Sequence, residues 1–404
     1  MSNPVSTLLV NAALMVLSCV VLIPIFTFFG ECVVALTKRL HRPAAQVRDR
    51  SLFPAKLVIL VPAHNEASVI RATLDSLMRQ IRVHDRVIVI ADNCTDQTAK
   101  IARFCGATVI ERCEPDPTLR GKGYALDFGL RYIAKNPPDV VVTVDADCIV
   151  APGTIARIAR QAHQTQRPVQ ATYLMSPPEH ASLKDYVSAL AVVVKNQVRP
   201  LGLSRLGLPT LLTGSGMAFP WVVLQQISLA GSKTCDDMQT SIDLAIAGYP
   251  ATYCPNTRVT GRLMEKQSAF KQRSRWEHGH LEMFTTQVPR LVTEAFKQKR
   301  FELFTLALEV AVPPLALLVM GWLAMAIIAL INGLLTGFWL PKILIGSSGL
   351  MLTLAVVGSW WQFGRSYLSP LQLLGIPFYT LWKIPLYVGY LLKPQTRWLR
   401  TERD

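Results

Sequence analysis

The sequence predicts an α/β protein, a mostly parallel β-sheet with helices on both faces, joined to transmembrane and interfacial helices. Three observations lead there. Between residues 54 and 262, short β-branched apolar runs alternate with stretches of helical periodicity. Strands apolar on both faces need a parallel sheet covered by helices on each side. Long apolar runs flank this region at both ends. Half of the 404 residues are apolar and only 17% are charged, with mean hydropathy +0.30. That is greasy for a soluble protein and too polar for spanning helices alone, so one soluble domain plus membrane segments is expected.

In chain order, residues 7–36 open with the apolar or small run Leu8–Gly30, and about 20 such residues span a bilayer. A signal peptide would start with basic residues, and the start here, MSNPVSTLL, has none. The basic cluster Lys38, Arg39, Arg42, Arg48 and Arg50 follows the run. The positive-inside rule then puts the amino terminus outside and the chain from Lys38 onward in the cytosol. Residues 51–263 are expected to form the cytosolic domain. Its predicted strands are Lys56–Val61, Arg86–Ala91, Ala107–Ile110 and Val140–Val144. Glu66–Gln80 carries Val69, Ile70, Leu74, Leu77 and Met78 at helical spacing, with Asn65 as its N-cap. Thr95–Cys105 and Ala125–Ile133 also read as helices, and Pro152 opens another in its first turn.

Residues 264–298 mix basic and aromatic side chains, among them Phe270, Lys271, Arg273, Arg275, Trp276 and Phe284, as an interfacial amphipathic helix does. Residues 301–392 hold three apolar runs, Phe301–Leu334, Ile343–Trp361 and Leu371–Leu392, ahead of a basic tail at 393–404. Three spans there would leave the tail outside, against the positive-inside rule. Either one segment is re-entrant or the Pro313-Pro314 pair splits the first.

The formal charge is +15. It gathers where apolar segments end, which suits an anionic membrane surface. No helix-turn-helix, zinc-finger or RNP signature accompanies it, so nucleic acid is not an expected partner. The eight cysteines form no CxxC pair and read as reduced thiols, two of them, Cys19 and Cys32, in the first membrane helix.

In a parallel sheet the ligand sits beyond the carboxyl ends of the strands, and carboxylates and polar residues appear at three of those ends here. The first strand runs into Pro62-Ala63-His64-Asn65-Glu66, the second into Asp92-Asn93-Cys94-Thr95-Asp96, and the fourth into Asp145-Ala146-Asp147. A single acidic strand end is an ordinary cap or turn; three in register predict a site. Asp145 and Asp147 leave a strand on alternate residues, which share a face, and hard oxygen ligands suit Mg²⁺ or Mn²⁺. Arg120-Gly121-Lys122-Gly123 precedes a helix and pairs backbone room with cations suited to phosphate. It lacks the Walker spacing, and Gly214-Ser215-Gly216 lacks the third glycine of a dinucleotide fingerprint. Asp236-Asp237 opens the helical segment Asp237–Gly248; one carboxylate suits the helix dipole, and the second is a candidate general base. Gln272 and Arg275 fall on one helix face, with Trp276 beside them able to stack on a sugar ring. An interfacial aromatic–arginine belt is the alternative. His278 and His280 have no third ligand nearby and read as surface histidines.

Taken in order, PAHNE at 62–66, ADNCTD at 91–96, RGKGYAL at 120–126, DAD at 145–147, TGSG at 213–216, CDD at 235–237 and QRSRW at 272–276 resemble the motifs of the membrane-embedded glycosyltransferases of family 2. That family includes cellulose, hyaluronan and chitin synthases and ceramide glucosyltransferase. The resemblance runs from about residue 55 to 280 and implies a GT-A type domain that is UDP-sugar dependent. It implies that Pro62, Ala63, Glu66, Asp92, Lys122, Asp145, Gln272 and Arg275 bind the nucleotide-sugar, Glu66 and Asp92 at the uridine. Asp145 and Asp147 would hold the metal, Mg²⁺ or Mn²⁺. Asp237 would be the catalytic base, and Gly214, Ser215, Asp236 and Trp276 would meet the acceptor. The family carries Thr-Glu-Asp where this chain has Cys235-Asp236-Asp237, which leaves the role of Asp236 open.

The resulting expectation is an inverting enzyme of a bacterial inner membrane, multi-pass with a cytosolic catalytic domain. It would transfer sugar to a lipid-linked acceptor in exopolysaccharide or glycolipid assembly, alongside membrane lipids and other polysaccharide-assembly proteins. The alternatives are a processive polysaccharide synthase with a polysaccharide acceptor, which usually has more spans than the roughly four counted, and a catalytically inactive membrane scaffold.

Overall fold

The structure, a computed structural model, describes residues 4–37, 55–230, 236–264 and 266–392. The basic cluster at 38–50, Cys235 and the tail at 393–404 lie outside the described residues. Eight strands form one sheet: β1 (Leu57–Ala63), β2 (Arg86–Asp92), β3 (Thr108–Arg112), β4 (Val140–Thr143), β5 (Ile149–Val150), β6 (Val169–Ser176), β7 (Met217–Pro220) and β8 (Thr252–Arg262). Their order is β3-β2-β1-β4-β7-β6-β8-β5. The first four in that order are parallel, β7 is antiparallel to both neighbours, and β6 and β8 are parallel. The sheet is thus mixed but mostly parallel.

The helices are α1 (Pro4–Leu36), α2 (Ile70–Met78), α3 (Thr98–Phe104), α4 (Lys122–Ile133), α5 (Thr154–Thr165), α6 (Leu183–Val193), α7 (Arg199–Leu206), α8 (Trp221–Leu224), α9 (Asp236–Ile246), α10 (Lys266–Gln298), α11 (Phe301–Ala311), α12 (Leu315–Thr336), α13 (Leu340–Ser359), α14 (Ile376–Trp382) and α15 (Ile384–Leu392). β1 shows why its sequence is apolar throughout. Leu57, Ile59 and Val61 point into one core with Ile70, Leu74 and Leu77 of α2. Val58 and Leu60 point into a second core with Ala125, Leu126 and Ile133 of α4. Each such fully buried side chain contributes about 1.5–3 kcal/mol, so a polar residue on either face of β1 would be costly.

Several boundaries differ from the sequence reading. Asn65 does not cap α2. It sits at φ 53, four residues before Val69, the residue that precedes the helix, and its side chain accepts from the Thr95 N–H at 2.7 Å. Pro152 lies outside α5, whose turn is made by Gly153 at φ 78, a conformation open to glycine.

Among the described residues, three helices are long and apolar enough to cross a membrane: Thr7–Leu36, Leu315–Thr336 and Leu340–Gly364. The fourth expected span is broken. Pro313-Pro314 separates α11 from α12, and Pro377 and Pro385 each restart a short helix in α14 and α15, because proline supplies no N–H to continue one. All seven described cysteines are free.

Candidate active site

The carboxyl ends of β1, β2 and β4 open into one cavity of about 1270 Å³. Two asparagines in the left-handed region, Asn65 and Asn93, turn the chain sharply after β1 and β2. Asn93 accepts from the Glu114 N–H at 2.9 Å and donates to Asp92 Oδ1 at 2.9 Å. The turns bring Pro62, Ala63, Glu66 and Asp92 to the cavity wall. The Glu66 N–H donates to Thr98 Oγ1 at 2.7 Å.

Arg112, which motif reading missed, does not line the cavity but positions residues that do. Its guanidinium pairs with Asp92 at 2.7 Å and donates to the Leu119 carbonyl at 2.6 Å. It therefore fixes both the Asp92 carboxylate and the turn leading to Arg120-Gly121-Lys122. The available signal was register: Asp92 and Arg112 are partners at the ends of β2 and β3.

Past β4 the carboxylates converge by a different route from the one expected. The strand stops at Thr143, and Asp145 and Asp147 lie in the turn beyond it, so the turn, not the pleat, brings them together. Ligand atoms of Asp145, Asp147 and Cys148 lie within 4.8 Å of one another. Burial, then the charges of Asp147 and Asp145, push the Cys148 thiol well above its usual range, and sulfur is a soft donor that suits Mg²⁺ and Mn²⁺ poorly. The remaining donors are two carboxylates, a hard set that fits Mg²⁺ or Mn²⁺ with phosphate oxygens completing the shell.

Lys122, in the first turn of α4, pairs with Asp145 and donates to the Gly214 carbonyl at 2.5 Å. Burial works against its ammonium, but Asp145 and then Asp237 outweigh this and hold its pKa above the ordinary lysine value. Gly214, at φ 99, has Asp237 Oδ2 3.4 Å from where a Cβ would stand. A side chain there would crowd the carboxylate as well as strain the turn. Asp236 and Asp237 occupy the first turn of α9, and both line the cavity. Ser215 does not line it. Its side chain is fully buried, and its hydroxyl accepts from the Asp145 N–H at 3.0 Å.

Gln272, Arg275 and Trp276 reach the same cavity from α10, and Gln272 Oε1 accepts from the Met264 N–H at 3.3 Å. Arg273 is buried, paired with Asp185 at 2.5 Å and set over the Trp382 ring, which is not the exposed position of an interfacial belt. His278 and His280 are buried too, contrary to the surface reading. Their Nε2 atoms lie 3.1 and 3.2 Å from the Leu386 and Val310 carbonyl oxygens. The reason is tertiary: α11 and α15 cover this face of α10. Beside the motif, Glu277 pairs with Lys383 and accepts from the Tyr387 hydroxyl at 2.5 Å. The cavity then continues between membrane helices, past Phe28, Leu318, Val319, Leu352 and Val356.

Known proteins share this fold. A mannosyltransferase from Pyrobaculum calidifontis, solved with GDP-Man and Mn²⁺, superposes with TM-score 0.52 at 21% identity, covering 87% of this chain and 99% of that one; the likeness is one of fold. The 4,4'-diaponeurosporenoate glycosyltransferases of Staphylococcus aureus strains USA300 and N315 are 34% and 35% identical over 129 and 130 residues. Those alignments span 31% of this chain and 32% of each relative, about a third of their length. Residues 54–279, more than half of the chain, match the family described as glycosyltransferase like family 2, and the chain belongs to that family, with a GT-A fold.

Proposed function

We propose that the chain transfers a sugar from a UDP-sugar to a membrane-associated lipid acceptor, with inversion, in a single displacement. The observation that supports this best is the continuity of one cavity from Lys122, Asp145 and Asp237 to the apolar wall between α1, α12 and α13. An amphiphile can keep its chain in that wall while presenting its head to the donor. A growing polysaccharide would lose hydration of its hydroxyls there without replacement, which favours single addition over processive synthesis.

In this reading Asp237 takes the proton from the acceptor hydroxyl as its oxygen bonds to the anomeric carbon. The bond from that carbon to the diphosphate breaks, and its electron pair leaves with UDP. Arg275 and Lys122 stabilise the charge that develops on the diphosphate. A divalent cation held by Asp145 and Asp147 would supply further neutralisation without proton transfer. Asp92, fixed by Arg112, and Glu66 hold the nucleoside.

Three spans beginning with an outside amino terminus return the basic carboxy-terminal tail to the cytosol, in accord with the positive-inside rule. This supports a multi-pass protein of a bacterial inner membrane whose catalytic domain faces the cytosol. The test is nucleotide release by purified protein with a panel of UDP-sugars and GDP-mannose, with and without bacterial lipid extract. Lipid-stimulated release of UDP is expected; release only from GDP-mannose, or release indifferent to lipid, contradicts the proposal.

A further inference from the structure

The segment joining α6 to α7, Val194–Val198, is one wide π-helical turn. It packs against β6 on one side and against α1 and α13 on the other. β6 carries Tyr173, whose hydroxyl lies 3.8 Å from Cys148 Sγ. The turn therefore stands where the carboxylate end of the cavity meets its apolar arm.

Two of its side chains line the cavity with unused polar capacity. Lys195 is exposed to it, and among the described residues its ammonium makes no hydrogen bond or ion pair. Asn196 is 8% exposed; its amide donates to the Tyr173 carbonyl at 3.0 Å, and its Oδ1 has no partner. A π-turn inside a helix commonly marks a functional position, and a buried polar atom without a partner calls for one.

The charges facing Lys195 do not cancel it. Arg199, one turn on, is matched by Glu31 at 2.5 Å. Burial pushes the Glu309 carboxyl up to about 8 despite the pull of Arg199 and, more weakly, of Lys195, and it makes no ion pair with Lys195. Burial, helped by Lys195 and Arg199, drives His280 down to about 3, so it is neutral. Lys195 is thus left without an ion-pair partner among the described residues, at the mouth of a wall lined by Leu318, Val319, Leu352 and Val356.

We infer that Lys195 and Asn196 form a head-group subsite for an anionic amphiphile, a phosphate or carboxylate on a long apolar chain, which is the class of acceptor this enzyme uses. The inference rests on the lipid-acceptor reading above and narrows it. Lys195 pairs with the acid head, and Asn196 Oδ1 accepts from a hydroxyl or protonated oxygen of the same head. The apolar chain runs between α1, α12 and α13.

The test uses the full chain in phosphatidylcholine nanodiscs and three probes: hexadecyl phosphate, hexadecanol and inorganic phosphate. Binding is read from the fluorescence of the cavity tryptophans, Trp276 and Trp322. Wild type is expected to bind hexadecyl phosphate about tenfold or more tighter than either other probe, the worth of a charge-assisted hydrogen bond. Lys195→Gln should erase the preference over hexadecanol, Lys195→Arg should restore most of it, and UDP affinity should match wild type in both. Equal binding of hexadecanol and hexadecyl phosphate overturns the inference and leaves the lipid acceptor standing. Inorganic phosphate binding as tightly as hexadecyl phosphate also overturns it, making the site one for a free anion. If neither amphiphile binds, the lipid-acceptor reading falls with it. Loss of UDP affinity in Lys195→Gln would assign the lysine to the donor and overturn the inference as well.

Discussion

The two ends of the cavity are built differently. At the sheet end, charged groups are matched where the strands end: Arg112 of β3 with Asp92 of β2, and Lys122 at the start of α4 with Asp145 just past β4. At the membrane end, charge is sparse and matched across the whole chain. Glu31 of α1 meets Arg199 of α7, which also donates to the Glu309 carbonyl of α11 at 3.1 Å. α1 and α7 touch so closely there that a Cβ on Gly202 would stand 2.0 Å from the Glu31 carbonyl oxygen. The sheet end is a set of reactive groups on a rigid frame; the membrane end is a packed seam that shapes where a chain can lie. Substitutions of the half-buried Asp147 and Asp237 at the first should change rate with little effect on stability, whereas breaking the buried Glu31–Arg199 pair at the second costs about 3–5 kcal/mol.

The largest effect is expected at Asp237. Asp237→Asn keeps the size of the side chain and its place on α9, and it should lower turnover by about 10²–10⁴, the usual worth of a general base. UDP affinity, measured by calorimetry on the same preparation, should stay near wild type. Turnover within a few-fold of wild type would remove Asp237 from the chemistry. Next is Asp147→Ala. UDP titrated with Mn²⁺ and then with chelator should show a large metal enhancement in wild type and none in the variant. An undiminished enhancement would move the cation away from the turn after β4.

The same contrast decides what could be read in advance. Asp92, Asp145 and Asp147 were legible because a parallel sheet delivers successive strand ends to one edge, so order in sequence becomes proximity in space. The apolar runs of β1, β2 and β4 were legible for a related reason, since both faces of each strand are buried. Arg112 was not legible as a motif; only its register with Asp92 gives it meaning. His278 and His280 were misread because their burial depends on α11 and α15, which start at Phe301 and Ile384, and no local pattern shows that contact. Ser215 shares a glycine-flanked turn with Gly214, yet only Gly214 reaches the cavity. Which of two adjacent residues faces in is set by the positive φ of Gly214 and Gly216, a property of the turn that composition does not reveal. The break in residues 371–392 was written in Pro377 and Pro385, but the length of the apolar run masked it.

The QRSRW segment lies on the boundary between the two ends, and a conservative change there sharpens the comparison. Arg275→Lys keeps the charge and loses the planar fork that pairs two oxygens at once. Turnover should fall about 10–100-fold, the range of one lost charge-assisted hydrogen bond, with insertion and melting unchanged. Arg273 makes a poor control because it is buried against Asp185 and Trp382. Arg290→Lys is the better one: it lies on the same helix in a largely exposed pair with Asp243 at 2.7 Å, where loss of the pair is worth about 0–1 kcal/mol. If Arg275→Lys turns over like Arg290→Lys, the segment serves the membrane and not the diphosphate.

The smallest expected effect tests the membrane end by pH. Burial raises the Glu309 carboxyl from 4.5 to about 8, and the Arg199 guanidinium opposes this only in part. A carboxyl with a raised folded pKa favours the folded state in its neutral form. Its contribution is therefore complete below about pH 4.5 and is lost as pH rises towards 8. Glutamine imitates the neutral form at every pH. Glu309→Gln should leave the melting midpoint near wild type at pH 4.5 and raise it at pH 8.5, by about 2–4 °C for each kcal/mol recovered. Catalysis at pH 7 should change little, because Glu309 touches the seam and not the reacting atoms. A variant that melts lower than wild type at pH 8.5 would mean that the carboxylate is ionised and holds Arg199 in place. The seam would then be a charged network, built on the same principle as the sheet end of the cavity.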